Sequence, residues 1–376
     1  MNLAPRSKWL NTVIRPALTP AGVAALCLGL WGCLAIYNAT CHLSPAYRFV
    51  TRQLVWLAVS GVALAAVSTR DTRFLRRATA PVAVMTYLAL WLVLLCGVRV
   101  HGMRAWFAWN GVFIQPSELA KPAFVLSLAW LMDRNSNRGN LDWRQGYLPA
   151  LLLCLLWILP IALQPDFGTV LVYVFTFAVL YWAMNGRLLH LAVTALAALP
   201  AVGLVLAAHP YLTTRWVAFL NPRAYADTAG WHILQFERTL AAGGLTGQSW
   251  GNAAWSQAYL PLGYSDSIFA NTAEAVGFLG VLPLVLIVLA WVAYGVQRGT
   301  CCQDLFARAT VMGMVILLAG QAFIHLSVNL ALVPTTGITL PLVSYGGSSL
   351  LASITAVGIV EAIGRAGTRP VADGHA

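Results

Sequence analysis

The stretch Gln164-Pro-Asp-Phe-Gly-Thr169 separates two long apolar segments and indicates how the chain is arranged in a membrane. Pro165 and Gly168 interrupt helical structure at this point, which we call the hinge. The interruption leaves the carboxylate of Asp166 at membrane depth, where a charge is unfavourable unless it serves a substrate, an ion or a fixed internal partner. Because irregular backbone at that depth persists only against protein or water, the hinge predicts a cavity near the outer leaflet.

The composition of the whole chain indicates a membrane protein. Of its 376 residues, 59% are hydrophobic and only 9% are charged, which leaves too few charges to cover a soluble domain of this size. Apolar stretches near the roughly 20 residues needed to cross a bilayer recur along the chain. They predict an all-α, polytopic integral membrane protein with about ten spans, near 20–39, 52–69, 79–98, 116–132, 147–164, 168–185, 188–208, 271–297, 307–331 and 345–364.

The distribution of basic residues predicts the orientation. Fifteen of the 23 Lys and Arg fall on the side of the N-terminus and seven on the other, as the positive-inside bias requires of cytoplasmic termini. We therefore expect a cytoplasmic tail at 1–18, a single ten-span membrane domain at 19–365 and a second cytoplasmic tail at 366–376. No basic, aromatic-interleaved stretch indicates nucleic-acid binding.

One connection is much longer than the others. Residues 209–270 link spans seven and eight on the outer side, and a connection of this length is expected to be folded and functional. Its centre, residues 231–242, predicts an amphipathic helix lying along the membrane, with Trp231, Leu234 and Phe236 near one apolar side.

Two further polar signatures accompany the hinge, namely Gln115-Pro-Ser-Glu118 and the run Pro334-Thr-Thr-Gly-Ile-Thr-Leu-Pro-Leu-Val-Ser-Tyr-Gly-Gly-Ser-Ser349. In order and spacing, these segments resemble the signatures of the SEDS family (shape, elongation, division and sporulation), whose members polymerise cell-wall glycan from a lipid-linked precursor. The resemblance extends from about residue 20 to residue 364, and the run 334–349 is its most specific part.

The resemblance implies a peptidoglycan glycosyltransferase in the bacterial inner (plasma) membrane. Such an enzyme joins lipid II units by a β-1,4 bond at the outer face, releases undecaprenyl diphosphate, and serves cell elongation or division. The family works with a class B penicillin-binding protein, a transpeptidase, which is the implied partner. No definite cofactor is implied, and a divalent cation is left open.

Asp266 is the candidate catalytic base. Its surroundings, Leu260-Pro-Leu-Gly-Tyr-Ser-Asp-Ser-Ile-Phe-Ala270, are similar to the family's Leu-Pro-x-x-His-Thr-Asp-Phe-Ile-Phe-Ala, whose aspartate is the proposed catalytic residue. A carboxylate can take the proton of a sugar 4-hydroxyl as that oxygen attacks the anomeric carbon of another precursor. On the residues alone, a cap for the following apolar helix is an equal alternative.

Eleven further residues are candidates for substrate binding. The cations would hold diphosphates, since a guanidinium grips phosphate with two donors, and the other side chains would shape the saccharide site or a polar groove. The cations are Arg104, Lys121 and Arg215, and the others are Trp106, Gln115, Glu118, Asp166, Gln235, Glu274, Ser344 and Ser348.

Structural roles remain open for several of these candidates. Glu118 and Lys121 are three residues apart on one helix face, so a buried ion pair that holds the bundle together is the simplest account. Trp106 is equally suited to anchoring the chain at the membrane interface. Glu274 is as well explained by a partner inside the bundle as by a sugar.

Two other functions remain open as well. A flippase or transporter of the lipid-linked precursor would suit the many spans and the hinge, since broken helices often line transport paths. A scaffold that only activates its partner would suit the departures from the family pattern, at Ala105, Gln248, Tyr264, Ala275 and His325. Retention of Asp266 on a large outer loop favours the enzyme.

Overall fold

The computed structural model describes residues 19–366 apart from 46, 101 and 136–141. The predicted tail at 1–18, and all of the predicted tail 366–376 beyond its first residue, lie outside the described residues. A helix occurs at each of the ten predicted spans: α1 Pro20–Thr40, α2 Arg48–Ser68, α3 Thr72–Cys96, α4 Pro116–Asn135, α5 Leu148–Ala162, α6 Phe167–Ala183, α7 Leu188–Ala208, then Ile268–Thr300, Leu305–Asn329 and Gly347–Ala366.

Eight of these helices are long and apolar enough to cross a membrane, so the chain is a multi-pass membrane protein. The two others are α4 and α6. α6 has 17 residues, whereas α5 reaches 20 together with the π-helical turn Trp143–Tyr147 that directly precedes it. α4 carries four charged residues, Glu118, Lys121, Asp133 and Arg134, which lower its hydropathy. Crossing by α4 and α6 therefore stays a prediction.

Residues between α3 and α4 form a small antiparallel sheet that the sequence analysis did not predict. Its strands are β1 Val98–Val100, β2 Met103–Trp109 and β3 Val112–Ile114, in the order β1-β2-β3. Asn110 (φ 47°) and Gly111 (φ 75°) form the turn between β2 and β3. An Asn-Gly pair between β-branched and aromatic residues favours such a hairpin, so a local signal for it was present.

The long connection is folded, as predicted. It contains α8 Pro210–Leu220, a 3-10 turn Pro222–Tyr225, α9 Trp231–Gly243 and α10 Ala254–Tyr259, and it leads into α11 Ile268–Thr300. α9 buries Ile233, Leu234 and Phe236 and packs on α11. Trp231 is 41% exposed and lies about 60° from Leu234 and about 140° from Phe236 around the helix, so its place on the apolar side stays a prediction.

α11 is broken at Gly277, whose backbone is non-helical (φ 69°, ψ −178°). The loop after α9 enters this break, where the N–H of Gln248 donates to the carbonyl of Glu274 at 2.9 Å and that of Ser249 to Ala275 at 2.8 Å. A Cβ on Gly247 would lie 2.4 Å from the carbonyl oxygen of Ala275. Glycine at 247 is therefore required by the close approach of the two backbones.

The centre of the bundle is formed by α12 Leu305–Asn329 and α13 Gly347–Ala366, in which 72% and 89% of the apolar window is buried. α7 differs from both of these helices, because none of the residues in its apolar window is buried by protein. Its first turns are held by Tyr181, which shares a hydrogen bond of 2.6 Å with the Nδ1 atom of His190, and by Tyr147, which donates to Thr194 at 2.6 Å. At its other end the ring of His209 lies 5.1 Å from that of Phe167.

One ion cluster joins three helices at the end of the bundle where α3 begins. Arg76 on α3 lies 2.5 Å from Asp133 at the end of α4 and 2.8 Å from Asp304, which caps α12. α3 begins seven residues before its predicted span because Asp71 caps it, accepting from the N–H of Phe74 at 2.8 Å.

Candidate active site

Asp266 lies on a tight turn, residues 261–267, which we call the Asp266 turn. The carbonyl of Leu262 accepts hydrogen bonds from the N–H groups of Ser265 (2.9 Å) and Ser267 (3.3 Å). The hydroxyl of Ser267 donates to the carbonyl of Pro261 at 2.7 Å. The N-cap of α11 is Ser267, so Asp266 stands one residue outside the position that ordinarily caps a helix, which disfavours the cap alternative.

The carboxylate of Asp266 is partly exposed. Its Oδ1 atom accepts a hydrogen bond from the hydroxyl of Ser265. Its Oδ2 atom faces Gly337, where a Cβ would lie 3.6 Å away. Gly337 belongs to the non-helical stretch 330–346 between α12 and α13, which we call the signature segment. The carboxylate is thus held on one side by Ser265, and on the other side it borders the run 334–349, the most specific part of the resemblance.

The signature segment holds the backbone of the Asp266 turn. The N–H of Tyr345 donates to the carbonyl of Tyr264 at 2.9 Å, and the hydroxyl of Ser344 donates to the carbonyl of Ser265 at 2.7 Å. Ser344 also accepts from the N–H of Leu340 at 2.8 Å. Because the hydrogen of its hydroxyl is used inside the protein, we assign Ser344 to holding the turn, and its predicted substrate contact stays a prediction.

Two residues that the sequence analysis missed complete this support. Asn329 at the end of α12 donates through Nδ2 to the carbonyl of Asp266 at 2.9 Å and accepts through Oδ1 from the N–H of Ala270 at 3.1 Å. Gln53 on α2 donates to the carbonyl of Ser344 at 3.1 Å and accepts from the N–H of Gly346 at 3.3 Å. Contacts that span 59 residues or more leave no local signal in the sequence.

His325, a departure from the family pattern, has its own partners. Its Nδ1 atom donates to the carbonyl of Ile338 at 2.7 Å, since a carbonyl can only accept. Its Nε2 atom lies 3.3 Å from Nδ2 of Asn329. His325 thus ties α12 to the signature segment beside the residue that holds Asp266.

The hinge adjoins the same segment. One oxygen of Asp166 accepts from the N–H of Thr169 at 3.1 Å, which caps α6, and the other accepts from Nε2 of Gln115 at 3.0 Å. A Cβ on Gly168 would lie 2.6 Å from the carbonyl oxygen of Thr336. The irregular backbone is therefore packed against protein, and the predicted cavity stays a prediction.

Glu118 and Lys121 form the predicted ion pair. Lys121 Nζ lies 2.6 Å from Glu118 Oε1 and donates to Gln321 Oε1 at 2.8 Å. Gln321 in turn donates to the carbonyl of Thr339 at 3.0 Å. With Lys121 only 3% exposed, the pair connects α4, α12 and the signature segment, and this arrangement favours the structural account over a diphosphate pocket.

Glu274 and Gln235 support the long connection. Glu274, which is 2% exposed, accepts from the N–H groups of Trp255 (2.9 Å) and Ser256 (2.6 Å) at the start of α10. Gln235, fully buried on α9, accepts from the indole N–H of Trp255 at 3.1 Å. These contacts hold α10 in place, and the predicted substrate contacts of both side chains stay predictions.

Arg215 is the cation best placed for an anion near the hinge. It is partly buried on α8 and donates to the carbonyl of Thr335 at 3.0 Å, with its guanidinium 5.5 Å from the ring centroid of Tyr211. Within the described ranges it has no carboxylate partner. Ser348, which accepts from the N–H of Gln115 at 3.3 Å, lies at the start of α13.

Arg104 and Trp106 lie on β2, which packs against α3 and α4. Arg104 is exposed and donates to the carbonyl of Leu94 at 3.2 Å, while Trp106 is partly buried opposite Val98. Among the residues that the structure describes, no hydrogen bond links either side chain to the Asp266 turn. Their predicted substrate contacts stay predictions.

An aromatic cluster, also missed from the sequence, flanks the Asp266 turn. The ring centroid of Phe49 lies 4.9 Å from that of Tyr264 and 5.3 Å from that of Tyr345, and the two tyrosine rings are 5.7 Å apart. Burial, together with the charge of Asp266, raises the pKa of Tyr264 above its usual value. Tyr264 replaces the histidine of the family pattern.

These features define a multi-pass membrane protein in which two irregular segments and a folded connection gather polar side chains at one end of the bundle. The family model for FtsW, RodA and SpoVE, described as "Cell cycle protein", matches residues 21–368. The chain belongs to this family.

Curated relatives and solved structures agree with this membership. The chain is 31% identical over 338 residues to a probable peptidoglycan glycosyltransferase FtsW of Trichlorobacter lovleyi, covering 88% of each chain. It is 33% identical over 345 residues to stage V sporulation protein E of Bacillus subtilis, covering 89% of this chain and 93% of that one.

Two solved structures share the fold. A chain from a study described as "Structural coordination of polymerization and crosslinking by a peptidoglycan synthase complex" matches with a TM-score of 0.77 and 27% identity, over 93% of this chain and 98% of that one. The rod shape determining protein RodA of Thermus thermophilus matches with a TM-score of 0.69 and 24% identity, over 93% of this chain and 97% of that one.

Proposed function

We propose that this protein is a peptidoglycan glycosyltransferase that polymerises lipid II into β-1,4-linked glycan at the outer face of the bacterial inner membrane, with both termini in the cytoplasm. The observation that carries the proposal is the fixed backbone of the Asp266 turn around a partly exposed carboxylate. A site that must hold a base within about 0.5 Å of its productive position requires such support.

In the proposed step, Asp266 accepts the proton of the 4-hydroxyl of one precursor while that oxygen bonds to the anomeric carbon of a second. The bond between this carbon and the diphosphate breaks, and the electron pair leaves with the diphosphate. The leaving group is already an anion and needs no acid. Arg215 is assigned to the diphosphate, because its guanidinium is partly exposed and unpaired with any described carboxylate.

The partner in this proposal is a class B penicillin-binding protein. Its support is that one structural neighbour belongs to a study of a peptidoglycan synthase complex that coordinates polymerisation with crosslinking.

Within the described ranges, no three His, Cys, Asp or Glu side chains group as a metal site. The need for a divalent cation stays a prediction, and loss of polymer on chelation with EDTA, with recovery on adding the cation back, would establish it.

A flippase is not favoured. That alternative depended on the hinge as the lining of a transport path, whereas Asp166 is bonded to Gln115 and Thr169, and Thr336 closes on Gly168. Curated relatives that match nearly the whole chain are named as glycosyltransferases, which also supports the enzyme.

The test is glycan formation from labelled lipid II by purified protein, with and without its transpeptidase partner. We compare Asp266→Asn with Asp227→Asn, a matched change at an exposed acid of the same connection. Polymer from the wild type and Asp227→Asn, but not from Asp266→Asn, is the expected result. Polymer from Asp266→Asn would remove this residue from the reaction, and none from the wild type with its partner would refute the enzyme.

A further inference from the structure

His232 contacts the Asp266 turn from α9. Its Nε2 atom lies 3.1 Å from the hydroxyl oxygen of Ser267. That hydroxyl has a single hydrogen, which it donates to the carbonyl of Pro261 at 2.7 Å. The hydrogen between His232 and Ser267 must therefore come from the imidazole, which makes Nε2–H the donor.

The imidazole is neutral under physiological conditions. Burial, and the charge of Arg215, lower the pKa of His232 to about 4. A neutral ring with its hydrogen on Nε2 leaves Nδ1 unprotonated. The ring itself packs on Phe236, with centroids 4.6 Å apart, so its orientation is fixed by packing as well as by the hydrogen bond.

We propose that His232 is a positioning residue for Asp266: its Nε2–H holds Ser267, which closes the turn through Pro261 and so fixes the direction of the neighbouring carboxylate. This inference rests on the proposed function. The turn is held by the signature segment and α12 on its other sides, and His232 supplies the contact from α9. A base displaced by about 1 Å can lose a hundredfold in rate.

Three substitutions separate the atoms of the ring. In His232→Gln the side-chain amide can place a donor where Nε2–H was, in His232→Asn the shorter amide reaches only the position of Nδ1, and His232→Phe keeps the ring without any donor. We expect His232→Asn and His232→Phe to lower kcat for lipid II polymerisation roughly tenfold, with KM unchanged, as loss of one hydrogen bond allows. His232→Gln should recover most of kcat.

Wild-type kcat in His232→Phe would overturn the proposal, and so would recovery by Asn but not by Gln, which would mean that the ring acts through Nδ1. Ser267→Ala should lower kcat by a similar factor, and the double variant with His232→Phe should lose little more. Full additivity of the two losses would also overturn it.

A second measurement does not depend on activity. Nitrogen-15 NMR of labelled histidine in the purified protein should report a neutral His232 with hydrogen on Nε2, and Ser267→Ala should reduce the preference for this tautomer. A hydrogen on Nδ1 in the wild type would refute the hydrogen bond itself. A wild type that makes no glycan but has the expected tautomer would refute the proposed function and leave this contact standing.

Discussion

Glu274→Gln distinguishes a structural carboxylate from a sugar ligand. The carboxylate is 2% exposed and accepts two backbone N–H groups, from Trp255 at 2.9 Å and Ser256 at 2.6 Å. A glutamine keeps the shape but replaces one oxygen with an NH2 group, which cannot accept a hydrogen bond. One N–H group then faces a donor, and the remaining bond loses its charge.

The magnitude follows from these two bonds. A hydrogen bond to a charged group contributes about 1.5–3 kcal/mol and a neutral one about 1 kcal/mol, so the start of α10 should lose roughly 2–3 kcal/mol. The amides of Trp255 and Ser256 should then exchange with deuterium about 30- to 150-fold faster, because each 1.4 kcal/mol is a factor of ten in local opening.

The assay is hydrogen exchange of the peptide that spans α10, measured beside the KM for lipid II. Glu237→Gln, at an exposed position of α9, is the matched control and should change neither quantity. Faster exchange in Glu274→Gln with KM within about twofold of the wild type is the expected result. Unchanged exchange with a much higher KM would refute the reasoning and identify Glu274 as a saccharide ligand.

Three more predictions concern other parts of the molecule. Arg76→Gln removes both ion pairs of a partly exposed side chain, and we expect it to lower the free energy of unfolding by about 1 kcal/mol. The midpoint of thermal unfolding should fall, and high salt should lower the midpoint of the wild type in the same way. Gly247→Ala should destabilise by about 1–3 kcal/mol, since φ is +80° and the new Cβ would lie 2.4 Å from a carbonyl oxygen; Gly203→Ala, which meets nothing within 4 Å, is its control, and equal midpoints would contradict the steric argument. His232 has a folded pKa of about 4 against an ordinary 6.5, so the unfolded chain takes up a proton first as pH falls. The contribution of His232 to the free energy of unfolding should therefore be fully present above about pH 6.5 and be lost as the pH falls towards 4. A His232→Gln variant whose stability falls as much as that of the wild type over this range would refute the assignment of the loss to His232.

The spans and the outer helix could be predicted because each depends on a local pattern. Apolar runs of about 20 residues fix a helix whatever surrounds it, and the amphipathic pattern of 231–242 identified α9. The start of α3 was missed because Asp71 caps a basic turn that precedes the apolar run. The hairpin at Asn110-Gly111 was missed although the pair that forms it is visible in the sequence.

The supports of the site could not be predicted, since they join residues far apart in the chain. Asn329 holds a carbonyl 63 residues away, and Gln53 holds a segment 293 residues away. The sequence showed that Glu274 and Lys121 are unusual, but not whether each side chain faces substrate or another part of the protein. Only the three-dimensional contacts separate the proposed base, Asp266, from the residues that hold its neighbours.

The isolation of α7 has a mechanical consequence. The helix is held at both ends, through His190 and Thr194 at its start and through the ring of His209, directly after its last residue, which lies 5.1 Å from the ring of Phe167. Between these ends none of its apolar window is buried by protein, so a change in bilayer thickness is taken up there, at a cost of fractions of a kcal/mol per Å of mismatch. α8 follows directly and is itself fixed, because Tyr211 donates to the carbonyl of Pro165 and Arg215 to that of Thr335. The cation assigned to the diphosphate is thus insulated from changes in the thickness of the surrounding membrane.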